Sequence, residues 1–165
     1  MTILRGAALV AATITLGLSA GLFYTYSASV MLGLGRSDDR TFVQAMQNMN
    51  VAIINPWFMA HFLGALLFAA VAVALHLPRD GRPVLPWIAA ALVFYLVAVV
   101  VTFAVNVPLN DQLETARGAD TAEALAAARA QFEAAWVRWN IVRTVASTAA
   151  LASVAWALVR FGQTT

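Results

Sequence analysis

The sequence predicts an all-α integral membrane protein, a four-transmembrane-helix bundle, on three observations. Its 165 residues are 62% hydrophobic and only 11% charged, against roughly 45–50% apolar and about 25% charged in soluble domains. Four charge-free intervals run Gly6–Gly35, Thr41–Pro78, Pro83–Asn110 and Thr144–Val159, and a spanning helix needs roughly 20 apolar residues. The connections differ in kind: the middle one is a tight turn, and the outer two are long enough to carry helices.

The first span is expected at about 7–34. Arg5 before an apolar run also fits a signal peptide, but the run continues through Leu34 without a small-residue cleavage site, so it is read as a span. Ser37-Asp38-Asp39 then offers helix caps before RTFVQAMQNMNVAII. That helix is expected to run on into the second span, about 56–77, with a kink at Asn55-Pro56. Pro78-Arg79-Asp80-Gly81-Arg82-Pro83 is dense in turn formers and reverses the chain. The third span, about 85–107, is expected to stop where Pro108 denies Val107 a regular last turn. Asp120-Thr121-Ala122-Glu123 resembles a capping box, and the helix it opens should pass into the fourth span, about 141–159. Helices two and four would thus extend beyond the membrane on one side of a single domain, 1–165. Phe42-x3-Met46-x3-Asn50 aligns with Phe132-x3-Trp136-x3-Asn140, which suggests a parallel two-helix repeat.

Composition excludes several functions. There is no cysteine, so disulfides, thiolate metal sites and a cysteine nucleophile are absent. The net charge of +2 comes from ten arginines scattered over several loops, a pattern unlike a nucleic-acid stripe and satisfied by a lipid surface. No GxGxxG, P-loop, HExxH or GxSxG motif occurs. Four spans put both termini on one side together with the loop of Arg79 and Arg82. The net positive charge of that loop favours cytoplasmic termini, in what the alanine- and arginine-rich composition suggests is a bacterial inner membrane.

In lipid, polar groups are costly, so those inside or bordering the spans carry the information. Asn106 and Asn110 flank Pro108; they either cap a helix end or project two amides into a cavity. Asn140 and Arg143, with Trp136 and Trp139 one turn back, recur at steps of three and four and should share a face. That group exceeds what interfacial anchoring needs. His61, about one turn inside the second span, is the best available general base, although a lone histidine is more often structural. His76 lies roughly 22 Å further along the helix, too far to share a metal, and should be interfacial. Tyr24 and Tyr26 point to different faces of the first span, with Tyr24 on the face of Ser27 and Met31.

These stretches, GLFYTYSASVMLGL, DDRTFVQAMQNMN with NPWF, NVPLND and FEAAWVRWNIVRT, resemble the anthrone oxygenase-like family of small integral membrane proteins. One departure is Leu32, where the family often has proline. The resemblance implies oxidation of an anthrone to an anthraquinone by O2, without flavin or metal. Such chemistry needs an apolar slot, a base and donors for an enolate-like anion. By residue type the slot falls to Phe103, Trp136 and Trp139, the base to His61, and the anion to Asn106, Asn110, Asn140 and Arg143, with Tyr24, Asn50, Asn55 and Pro108 as further substrate-binding candidates. The implied partners are the bilayer, an apolar aromatic molecule and O2, with no metal and no cofactor. A non-catalytic protein that binds or moves an apolar molecule, and a structural membrane protein or homo-oligomer, are the alternatives.

Overall fold

The computed structural model describes residues 1–164, which form helices and turns with no strand among them. Four helices are long and apolar enough to cross a membrane: α1 (Thr2–Leu34), α3 (Pro56–His76), α4 (Leu85–Glu114) and α5 (Ala122–Thr164). A fifth, α2 (Asp39–Ala52), lies between α1 and α3. The spanning helices form a ring in which α1 packs on α3 and α5, and α4 packs on the same two. Short steps of three and four set the inward stripes: Leu9, Ala12, Leu16 and Phe23 on α1; Phe62, Ala65, Ala69 and Ala72 on α3; Ile88, Ala91, Tyr95 and Ala98 on α4; Ala146, Ala150, Val154 and Ala157 on α5. Alanine dominates because lipid supplies no hydrophobic drive between helices, and small residues let backbones approach for dispersion contact. The outward faces carry Ile14, Leu18, Leu67, Val93, Val97 and Val100.

Two departures from regular α geometry matter. Tyr26–Val30 in α1 and Thr102–Asn106 in α4 are π turns, closed by bonds from Met31 N–H to the Tyr26 carbonyl and from Val107 N–H to the Thr102 carbonyl. In α4 the cause is Pro108, which has no N–H for the carbonyl four residues back and crowds it. The backbone answers by widening one turn, after which Pro108 sits in the first turn of Val107–Glu114, where its missing donor costs nothing. The expected stop near 107 is therefore corrected: the helix runs on to Glu114.

The second helix needs a correction too. It does not continue through Asn55-Pro56 with a kink. The chain leaves helix at Ile53–Asn55, and Asn55 caps a new one, its Oδ1 accepting from Phe58 N–H at 3.0 Å. The extension beyond the membrane exists as the separate α2, opened by Asp38, whose carboxylate accepts from Thr41 N–H and Oγ1 at 2.9 and 2.8 Å. Thr121 caps α5 through Ala124 N–H at 3.3 Å. In the first half a spanning helix with a π turn near its far end leads to the separate α2, in the second to the extended first turns of α5, and Phe42 meets Phe132 with ring centres 6.2 Å apart. Arg129 binds the α1–α2 turn to α5 through the Ser37 and Gly35 carbonyls and Asp39, and Gln47 Nε2 donates to the Leu113 carbonyl at 2.9 Å.

Candidate functional site

Where α2, the π turns and the start of the α5 span converge, a cavity of about 770 Å³ opens between the helices. Its walls are mostly apolar and aromatic, with Leu22, Phe23, Tyr26, Val51, Ile54, Phe58, Phe62, Phe103 and Trp136 among them. Its polar lining is Asn50, Thr102, Asn106, Asn110, Asp111, Glu114 and Arg143. Val51, Ile54 and Phe103 are exposed as well as lining the cavity, so its rim is apolar.

Arg143 dominates the electrostatics. It is 6% exposed, and no carboxylate pairs with it among the described residues. Its Nη2 donates to Asn140 Oδ1 at 2.7 Å and its Nη1 reaches Thr102 Oγ1 at 3.4 Å, while Nε has no partner. The guanidinium carbon lies 4.5 Å from the Phe23 ring centre and 5.2 Å from that of Trp136. Aromatic faces stabilise a cation but do not neutralise it, so the site holds an uncompensated positive charge beside an apolar cavity.

Asn140 builds the seat for that charge. Its Nδ2 donates to the Phe23 carbonyl at 3.0 Å and to Ser27 Oγ at 2.8 Å, which leaves Oδ1 to orient Arg143. Thr144 spends its hydroxyl proton on the Asn140 carbonyl at 2.9 Å, so Ser27 is the donor in its 3.1 Å bond to Thr144. A second bracket joins α4 to α5. Trp136 Nε1 donates to Asn110 Oδ1 at 2.8 Å, and Asn106 Nδ2 reaches the Trp136 carbonyl at 3.3 Å. Three buried polar atoms lack partners here, Asn50 Nδ2, Asn106 Oδ1 and Arg143 Nε, and all three belong to residues of the cavity wall. Each such atom costs about 1–3 kcal/mol, and their gathering at one cavity marks a place for a polar ligand group.

A sequence profile of the family described as anthrone oxygenase matches residues 55–153, well over half of the chain. The chain belongs to the anthrone oxygenase family. The match spans α3, α4 and most of α5, and so covers Phe103, Asn106, Trp136 and Arg143, whereas α1 and α2 lie outside it. No curated protein and no solved structure matches the chain. The fold of this family member is an integral membrane bundle, as its four long apolar helices require.

Of the residues picked from sequence, Asn50, Phe103, Asn106, Asn110, Trp136 and Arg143 line the cavity. Asn140 stands behind Arg143 and serves it. The others lie elsewhere. Tyr24, 60% exposed, and Trp139, 36% exposed, face outward, each at the edge of or beyond its helix's inward stripe. Asn55 spends its side chain on the α3 cap, with Nδ2 on the Ala52 carbonyl at 2.8 Å. Pro108 shapes the π turn from the exposed side. His61 turns from the cavity to Ser19, whose Oγ lies 3.1 Å from His61 Nδ1 and 3.1 Å from the Tyr95 hydroxyl. Since Tyr95 gives its proton to the Phe62 carbonyl at 2.9 Å, this is a polar knot beneath the aromatic floor. His76 is buried at the last turn of α3, away from the cavity. Tyr26, Thr102 and Asp111 were missed; the two π turns, which shift the phase of a helical wheel, hid the first two.

Proposed function

We propose that the cavity binds a flat, apolar aromatic ketone as its enolate and exposes that anion to O2, so that the chain acts as an anthrone-type oxygenase. The observation that carries this reading is Arg143, a buried cation with no carboxylate of its own in the wall of an aromatic cavity. A guanidinium so placed stabilises negative charge developing on a ligand oxygen more than it stabilises a neutral ketone, and that difference is what accelerates a reaction. Asn50 Nδ2 supports it as a donor, and Asn106 Oδ1 suits a phenolic hydroxyl on the same ligand.

The reaction balances with these residues alone. A base removes one hydrogen of the ring methylene, and its electron pair passes to the carbonyl oxygen held by Arg143. The carbanion carbon then bonds to O2 as a peroxide; loss of the second methylene hydrogen with cleavage of the O–O bond leaves a new carbonyl and one water. His61 lies outside the cavity, so the base is reassigned to Asp111, a carboxylate of the wall with no ion pair among the described residues; Glu114 is held by Arg117.

Oxygen uptake and quinone absorbance with a detergent-purified sample and an anthrone test the proposal. Arg143→Met should lower turnover about 100-fold or more, the scale of one oxyanion donor. Asp111→Asn should lower it by about 100-fold or more, and His61→Ala should keep most of it. Full uptake by Arg143→Met refutes the oxyanion role; tight ligand binding without oxygen uptake by the native chain leaves a carrier in place of an enzyme. The same reading sets the chain in a bacterial plasma membrane, Arg79 and Arg82 marking the cytoplasmic side.

A further inference from the structure

At the opposite end of the bundle the first turn of α1, the end of α3 and the 78–83 turn enclose a second void, about 280 Å³ and lined by Arg5, His76, Asp80, Gly81, Val84 and Phe161 together with Thr2. It is far larger than the roughly 30 Å³ of one water. His76 is 0% exposed, its ring edge-on to Phe161 with centres 5.7 Å apart. Its Nδ1 lies 2.8 Å from the Ala72 carbonyl, which can only accept, so Nδ1 carries the proton and Nε2 of the neutral ring presents a lone pair. That Nε2 has no partner. Arg5, 5% exposed, gives Nε to the Leu75 carbonyl at 2.8 Å and one hydrogen from each Nη to Asp80 at 2.7 and 2.9 Å. One hydrogen remains on each Nη.

The charges around the void select its occupant. Arg79 and Arg82 are exposed in the same turn and Arg160 is exposed beside Phe161, so this end carries, with Arg5, four arginines against Asp80 alone. A net positive rim at the level where four spans end attracts anionic headgroups. Asp80 in the wall opposes a doubly charged phosphate monoester more than a singly charged phosphodiester. The unpartnered Nε2 asks for a hydroxyl proton.

We propose that this void seats the headgroup of an anionic phospholipid with free hydroxyls, of the phosphatidylglycerol type. Its phosphodiester oxygens accept from the remaining Arg5 hydrogens and from Arg79 and Arg82, and a glycerol hydroxyl donates to His76 Nε2. Gly81 shapes the seat: a Cβ there would lie 2.7 Å from the His76 Cα and carbonyl oxygen, so only glycine lets the turn close over the helix end. The site is independent of the aromatic cavity and of whether that cavity is catalytic.

The test is thermal unfolding and native mass spectrometry of the full chain in detergent, with dihexanoyl phosphatidylglycerol added. At a lipid concentration about 100 times Kd, the midpoint should rise on the order of 5 °C, and one lipid should remain bound in the gas phase. Dihexanoyl phosphatidylcholine and phosphatidylethanolamine, glycerol 3-phosphate and inorganic phosphate should each give less than a third of that rise. His76→Phe keeps the ring packing against Phe161, and Arg79→Gln/Arg82→Gln alters exposed groups alone; each should lose at least half of the rise while eluting as a monodisperse peak. An equal rise with the zwitterionic lipids, or with inorganic phosphate, overturns the proposal, as does an undiminished rise in both variants. Should His76→Phe fail to fold, the double glutamine variant and the lipid series decide by themselves.

Discussion

At the residue scale, the buried guanidinium of Arg143 separates stability from function. Removing it relieves a desolvated charge, and replacing buried charges by apolar residues of like size is often neutral or stabilising. Arg143→Met also strands Asn140 Oδ1, at about 1–3 kcal/mol, so the two effects nearly cancel. Its unfolding midpoint should stay close to that of the native chain, while affinity for an ionisable aromatic ligand falls about 10–100-fold, the worth of one charged hydrogen bond. Asn140→Ala should behave differently. Three bonds are lost together, to the Phe23 carbonyl, Ser27 and Arg143, and about 2–4 kcal/mol of stability should go with the ligand site. Equal midpoints for the two variants would show that Asn140 does not hold the bundle as described. This contrast also explains what the sequence disclosed. Asn140 and Arg143 stand three apart on an aromatic-rich helix, so their partnership was legible. Their division of labour was not, because it depends on the Phe23 carbonyl, which carries no side-chain signal. His61 looked like the base for its residue type alone, and its partner Ser19, and Tyr95 bonded to Ser19 in turn, come from other helices.

At the element scale, the π turn of α4 behaves as one residue inserted into an α-helix, so the faces on either side keep their phase when that residue is removed. Deletion of Ala104, exposed within the turn, combined with Pro108→Ala to remove the clash a regular turn would meet, should therefore give a folded bundle with a reshaped cavity. Deletion of the equally exposed Val97, in regular helix, should rotate the adjoining Ala98 stripe by about 100° and prevent folding. Comparable expression and midpoints for both deletions would refute this account. Pro108 was visible from the start, but a proline signals only that the regular ladder fails; whether the chain stops or widens depends on what packs beyond, here Leu113 against α2 and α5. The 78–83 turn is held by Asp80 on Arg5, and that bond keeps the Asp80 carboxyl below the usual carboxylate range. A lowered folded value means that the pair's stabilisation is fully present above the unfolded value of about 3.9 and is lost as pH falls through the folded one. The midpoint should accordingly be level from neutral pH to about pH 5 and fall below about pH 4. Asp80→Asn should start lower and lose less, and superimposable curves for the two would remove this pair from the acid response.

At the scale of the whole molecule, the number and type of spans were legible because charge-free apolar intervals are a property of the chain, whereas the cavity is a property of the ring. Arg5 and Asp80 meet at one end, and Arg129 and Asp39 at the other, so each end is fastened by ion pairs between segments distant in sequence. Four crossings require that the 78–83 turn and Phe161 lie on one side of the membrane, and the α1–α2 turn and Gly118, which takes a left-handed φ of 83° in the α4–α5 turn, on the other. The absence of native cysteine permits a direct test with single reporters. Arg82→Cys and Arg117→Cys are both on exposed positions. In sealed right-side-out vesicles, a membrane-impermeant maleimide should label one of them and spare the other, and inversion of the vesicles should exchange the two. With the arginines of the short turn on the cytoplasmic side, the reporter labelled from outside should be that at 117. Labelling of both from the same face would require an even number of crossings between them and refute the four-span ring. Labelling of 82 alone from outside would keep the ring and reverse its orientation, carrying the lipid seat to the outer leaflet and the mouth of the aromatic cavity to the inner one.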